Sequence, residues 1–216
     1  MNEVKRYRIR RQKKKSYREG IRAKKPNEIW HIDITEIQIR GDQRFYLQMI
    51  VDNYSRAIMS WCLSDRKDLR VSLKTIKRSL WEGGLPEFLM SDGGRENVNF
   101  EVGKLLLGRG ISQLIAKADV QFSNSMIEAV FKKLKGVVNF SRIRTQQGLK
   151  RAIGQFVRQY NFVFPHSRLQ GAIPFERLHR EFDILEFRAR VREKRLELTR
   201  LRSVDYQRCG KCLLAV

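Results

Sequence analysis

From Ile29 onward, apolar and polar residues first alternate and then run together, as strands facing a sheet core do. IWHIDITEIQI (29–39), FYLQMIVD (45–52) and AIMSWCL (57–63) are three such runs, separated by the turn-like segments RGDQR and NYSR. Connections that short predict an antiparallel meander. The period then lengthens. Leu69, Leu73, Ile76 and Leu80 recur at helical spacing in LRVSLKTIKRSLWEGG (69–84), and its closing glycine pair suits a C-cap. EFLMS (87–91) predicts a short strand that DGGREN breaks, FEVGKLLLGRG (100–110) a helix, and ISQLIA (111–116) a strand. This β-α-β alternation adds two strands that can lie parallel, so the fold class is α/β.

Beyond Ser125 the pattern turns helical. Ile127, Val130, Phe131, Leu134 and Val138 mark one face, and a second helix fits about 145–161. The core closes at HSRLQGAIPFERL. Ile184, Phe187, Val191, Lys194, Leu198 and Leu201 then fall on a 3-4 spacing, which predicts a basic amphipathic helix, although 187–192 also fits an alternating strand. Three regions follow from these shifts: a basic N-terminal arm over 1–25, a core over 26–180, and a basic C-terminal extension over 181–216 that is helical and then disordered.

Charge changes the picture most. The chain of 216 residues has 45 basic and 23 acidic residues, a net +22, and residues 1–25 hold 12 basic against 2 acidic. Such surfaces gain salt-dependent affinity for polyanions by releasing counterions, so nucleic acid is the favoured partner over an anionic membrane surface or a ribosome. With 42% hydrophobic residues the chain is no disordered tail, and no apolar run approaches a membrane span. The first 20 residues lack the apolar stretch of a secretory signal, and three cysteines (Cys62, Cys209, Cys212) make no disulfide framework. The expected address is the cytoplasm, in association with the nucleoid.

Three carboxylates stand where solvated ones rarely do. Asp33 interrupts the first strand between Ile32 and Ile34, Asp92 follows the fourth strand, and Glu128 lies on the first long helix. If strands one and four are neighbours, the aspartates approach each other and the helix can add the glutamate. Clustered carboxylates repel unless a divalent cation neutralises them; Mg²⁺ suits such hard oxygen ligands and leaves positions for water and phosphate. Paired ions support in-line phosphoryl displacement. Taken singly, each carboxylate has a blander explanation in edge solvation or an exposed helix surface.

PNEIWHIDIT, RFYLQMIVDNYSRAIMSWCLSD, SDGGREN, SNSMIEAVFKKLK and YNFVFPHSRLQGAIPFE together resemble the catalytic core of DDE-type insertion-sequence transposases, relatives of retroviral integrases, over about residues 26–180. The 35 residues between Asp92 and Glu128 are the specific part of that resemblance. It implies an RNase H-like fold, a five-stranded mixed sheet of antiparallel meander plus parallel strands flanked by helices. It also implies that Asp33, Asp92 and Glu128 are catalytic and hold two Mg²⁺ (or Mn²⁺) ions. Trp30 and Thr35 match the motif around the first aspartate. Asp52, Ser55 and Arg56 match a second-strand turn signature that reads as structural.

Asn124, Lys132 and Lys135 fall on the Glu128 side of the helix, which in related integrases faces donor DNA; a plain Glu128–Lys132 surface pair would explain the same spacing. His166 and Arg168 match a motif running from Tyr160-Asn161 to Pro174, as DNA contacts or as packing at a helix end. Arg10, Arg11, Lys13, Lys14 and Lys15 of the arm suit phosphate tracking along DNA; a solvated linker is the alternative.

The resemblance implies a transposase or integrase core that hydrolyses DNA at element ends and transfers the 3′-OH ends into target DNA. A catalytically silent DNA-binding relic and an RNase H-like nuclease are the alternatives. Partners implied are DNA, further copies of the chain as a homo-oligomer on DNA, with residues 182–202 contributing, and a separately encoded helix-turn-helix protein. His31, His166 and His179 are too scattered for a His/Cys zinc domain, and Cys209-Gly-Lys-Cys212 reads as half a zinc site in an unstructured tail.

Overall fold

The computed structural model describes residues 22–94, 97–116, 124–179 and 183–212. The meander forms as expected. β1 (Ile29–Gln38), β2 (Arg44–Asp52) and β3 (Ile58–Ser64) pair antiparallel, with a register slip at Ile50/Val51. α1 (Leu69–Gly83) follows, its N-terminus capped by Asp68, whose carboxylate accepts from the Arg70 N–H at 3.0 Å. β4 (Phe88–Ser91), α2 (Phe100–Leu107) and β5 (Ser112–Ile115) supply the two parallel strands. The sheet order is β3-β2-β1-β4-β5, the expected five-stranded mixed sheet with β1 at its centre.

Strand alternation decides which helices each side chain meets. Trp30 and Ile32 of β1, Ile50 of β2 and Leu89 of β4 pack with Ile76 of α1 and Val102 and Leu106 of α2. Ile37 of β1 and Leu47, Met49 and Val51 of β2 face the other way. They pack against α3 (Ser125–Val137) and α4 (Gln146–Phe162) through Ile127, Val130, Phe131, Leu134, Ile153 and Phe156. Asp33 shares the parity of Ile37 and so belongs to the α3 side of the sheet.

The rotation of α3 is settled by its apolar stripe. Ile127, Val130, Phe131 and Leu134 are buried, and each stabilises by about 1.5–3 kcal/mol. A surface ion pair contributes about 0–1 kcal/mol, so no charge on this helix could turn it. Glu128, Lys132 and Lys135 are left exposed.

Two elements depart from the sequence reading. α5 (Pro174–His179) was not expected; Pro174 opens it with a φ suited to a first turn, and the Glu176 carboxylate accepts from the Ile173 N–H at 3.0 Å. α6 (Ile184–Cys212) is the predicted basic helix rather than a strand, but its backbone continues through Cys209 to Cys212, where the sequence suggested an unstructured tail. Its first turn is anchored by Asp183, whose carboxylate accepts from the Leu185 and Glu186 N–H groups at 2.7 and 3.2 Å.

Candidate active site

The parallel pairing of β1 with β4 places Ile32 opposite Ser91, one residue before Asp33 and Asp92 respectively. Asp33 lies within β1 and Asp92 follows the last residue of β4, each one position beyond the paired Ile32 and Ser91. Asp33 accepts at Oδ1 from the Ile34 N–H, 2.8 Å away. It also lines a cavity of about 430 Å³ with Thr35, Glu128, Phe131, Lys132 and Lys135. Asp33 and Glu128 therefore share a cavity that Asp92 does not line.

Among the described residues no ion pair joins Glu128 to Lys132.

A buried polar network holds Asp92 from behind. Asn97, 1% exposed, donates from Nδ2 to Asp92 Oδ1 at 3.1 Å. Its own Oδ1 accepts from Gln48 Nε2 at 3.0 Å and from the Ser72 hydroxyl at 3.3 Å. Gln48 also donates to Ser72 Oγ at 2.8 Å, and its Oε1 accepts from the Thr75 hydroxyl at 3.1 Å. Sequence reasoning passed over Gln48, Ser72, Thr75 and Asn97. The signal available was a glutamine inside an otherwise apolar strand, which must be paired if it is buried.

A second network holds the start of α3. Asn53 uses Oδ1 to accept from the Ala23 N–H at 2.8 Å, which fixes its amide orientation, so its Nδ2 donates to His31 Nε2 at 2.8 Å. The proton of His31 is then on Nδ1, which donates to Asn124 Oδ1 at 3.1 Å. Burial of His31 holds its pKa down, to about 4, and the charge of Arg56 adds to this while the Asn124 hydrogen bond opposes it. The ring is neutral and serves as a strut from β1 to the residue that opens α3, one turn before Glu128. Asn124, expected on the DNA side, thus has its side-chain oxygen turned to His31.

The Asp52–Arg56 turn is structural in its contacts. Asp52 is fully buried and accepts from the Asn27 N–H at 2.9 Å and, at its other oxygen, from the Ser55 N–H and hydroxyl at 2.7 and 2.6 Å. Burial pushes its carboxyl up, and these hydrogen bonds resist that. Arg56 takes a left-handed backbone, φ 67°, at a cost of order 1 kcal/mol for a residue with a side chain.

The Tyr160–Pro174 motif packs beside this turn. Asn161 donates to the Ile58 carbonyl and accepts from the Ile58 N–H, both at 2.9 Å, and so pairs the backbone of the first residue of β3. His166 Nε2 lies 3.3 Å from the Tyr160 hydroxyl, which fits the packing alternative for this histidine, whereas Arg168 is exposed. Arg10, Arg11, Lys13, Lys14 and Lys15 lie outside the described residues.

By type the donor set suits a hard divalent cation: three carboxylates, with two lysines beside them that could meet phosphate. Among the described residues, however, no three His, Cys, Asp or Glu side chains gather closely enough to hold a metal ion in this arrangement.

The five-stranded mixed sheet with its flanking helices is an RNase H-like fold, and it carries one carboxylate on the central strand, a second just past the parallel neighbour and a third on a following helix. Residues 23–125 match the family model of the integrase core domain. The match spans Asp33 and Asp92 and ends three residues before Glu128.

InsK, assigned to insertion sequence element IS150 of Escherichia coli strain K12, is 26% identical over 162 residues, covering 72% of this chain and 56% of InsK. An uncharacterized transposase-like protein of Haemophilus influenzae is 28% identical over 154 residues, 70% of this chain and 68% of that protein. The chain therefore spans about half the length of the first relative and two thirds of the second. Among solved structures, the HTLV-2 integrase catalytic core domain in complex with magnesium superposes with a TM-score of 0.62 at 17% identity, over 73% of this chain and 100% of that one. The catalytic core domain of BIV integrase gives 0.55 at 17% identity, over 72% and 96%. These two establish the shared fold. Among the described residues no helix is long and apolar enough to cross a membrane.

Proposed function

We propose that this chain is the catalytic core of a DNA transposase or integrase, a polynucleotidyl transferase acting through Asp33, Asp92 and Glu128. What supports this reading is the cavity that Asp33 shares with Glu128, together with the pairing of Ile32 with Ser91, one residue before each aspartate. The magnesium named for the HTLV-2 core and the family match support a divalent cation, Mg²⁺ or Mn²⁺, held as two ions by the three carboxylates. Such ions lower the barrier to an in-line attack on phosphorus by neutralising charge on the attacking and leaving oxygens.

The chain's own groups position the reactants. Lys132 and Lys135 take DNA phosphates at the cavity rim, the Asn97 network holds Asp92, and the His31 strut holds the helix that bears Glu128. In the first step water adds to the phosphorus at an element end and the 3′-oxygen leaves as a hydroxyl. In the second that hydroxyl attacks a target phosphodiester and displaces its 3′-oxygen, so one bond forms as one breaks and no energy-rich cofactor is consumed. A separately encoded helix-turn-helix protein would recognise the ends. α6 would join copies on DNA, since Leu185, Val191, Leu196 and Leu198 are all exposed on it. The proposed setting is the nucleoid.

The test is incubation of the purified chain with terminal-repeat DNA and Mg²⁺ or Mn²⁺, with and without the partner protein. Asp33→Asn, Asp92→Asn and Glu128→Gln should each abolish cleavage and joining, by 100-fold or more on the order expected for losing charge stabilisation at a phosphoryl centre. Activity equal to wild type in these variants would reject the site, and cleavage without joining would make the protein a nuclease.

A further inference from the structure

A second cavity, about 310 Å³, opens at the end of the sheet where β1 begins. Four arginines from four separate segments line it: Arg22 before β1, Arg56 in the β2–β3 turn, Arg168 in the loop after α4, and Arg177 on α5. Among the described residues none of the four is ion-paired, although Lys25, Arg44, Arg66, Arg78 and Arg190 all are. The carboxylate nearest in sequence to Arg56, that of Asp52, has both oxygens engaged by Asn27 and Ser55.

Guanidinium groups stay charged at any ordinary pH, so they repel one another across this cavity and each needs acceptors. Arg56 shows that need most directly. Its Nε is wholly enclosed and has no hydrogen-bond partner among the described residues. Burial, and the charges of Arg168 and Arg22, hold its pKa below the usual arginine range. Arg177 is steadied over the Tyr54 ring, 4.4 Å from its centroid. A group with several anionic oxygens in this cavity would neutralise the four charges, and arginine forks match phosphate oxygens two at a time.

We propose that Arg22, Arg56, Arg168 and Arg177 form a binding site for a backbone phosphate of DNA, separate from the carboxylate site. The inference rests on the DNA reading above and extends it to a surface that reading does not use. The Asn53 N–H donates to the Ile29 carbonyl at 2.8 Å, which fixes the turn to the start of β1. From Ile29 the strand rises about 13 Å to Asp33. That is roughly four nucleotide steps of 3.4 Å, so one bound duplex could reach both sites.

The experiment measures binding of the full chain to a generic duplex without divalent ions, across a salt series. An inactive carboxylate site therefore leaves its outcome unaffected. Arg22→Gln/Arg168→Gln changes two exposed side chains and should weaken binding about tenfold at low salt. It should also make the slope of log K against log[salt] shallower by about 0.9 for each DNA phosphate the variant no longer neutralises. The control Lys150→Gln/Arg151→Gln removes the same charge from α4 and should stay within about twofold of wild type. Equal losses in both double variants, or none in Arg22→Gln/Arg168→Gln, overturn the proposal. If inorganic phosphate at matched ionic strength raises the wild-type melting temperature while the variant binds duplex like wild type, the cavity takes free phosphate and the DNA assignment fails. Should the double variant melt early, Arg168→Gln alone carries the same test, with a slope change of about 0.9 expected and no change overturning it.

Discussion

Asn97 donates to Asp92 from a site that solvent does not reach, so a residue with no access to substrate fixes one of the three carboxylates. The same amide accepts from Gln48 and Ser72, which ties Asp92 to the middle of β2 and to α1. Asn97→Leu strands those buried donors at about 1–3 kcal/mol each. Urea denaturation should show a loss of about 2–4 kcal/mol, and end joining should fall while duplex binding in the absence of metal is kept.

His31 makes the corresponding connection to α3. His31→Leu leaves Asn53 Nδ2 and Asn124 Oδ1 without their partner, at a cost of about 2–4 kcal/mol. His31→Gln, which can still span one of the two contacts, should recover part of that stability and part of the joining rate. A leucine variant as stable and as active as wild type would show that the strut holds nothing.

His166 should shape the acid side of the stability curve. Its pKa is lowered, first by burial and then by the charges of Lys133, Arg56 and Arg168. The unfolded chain therefore takes up a proton near pH 6.5 that the folded chain refuses, so stability falls as pH drops below about 6.5 until the folded value is passed. His166→Gln should show a smaller drop in urea midpoint between pH 7 and pH 5.5 than wild type. The same drop in both would exclude His166 as a source.

Gly171 couples the loop after α4 to α6. It has φ 98°, and a methyl group there would meet the Phe187 ring. Gly171→Ala combines backbone strain with that collision and should cost about 1–3 kcal/mol. Limited proteolysis should then cut between 180 and 190 earlier than in wild type.

The sheet could be read from the chain because β1, β2 and β3 follow one another through short turns, and because the return to strand at 111–116 required a crossover. Asp33 and Glu128 could be read because each breaks or opposes an apolar pattern. Asn97, Gln48 and His31 could not. Each also depends on partners 22 to 93 residues away, and a single polar residue in an apolar run does not disclose its partner. α5 was missed for a different reason: at six residues it is too short for a helical period to show. The arginine cavity was hidden by its dispersal, one residue from each of four segments, although the net charge had marked the chain as basic.

The central position of β1 has a consequence for biosynthesis. Asp33 leaves the ribosome early, but Asp92 follows only after the whole meander and α1, and Glu128 later still. Closing such distant segments is the slow part of folding. A growing chain shorter than about 130 residues therefore lacks one of the three carboxylates, and the proposed site is completed only once the far half of the core has been made and docked.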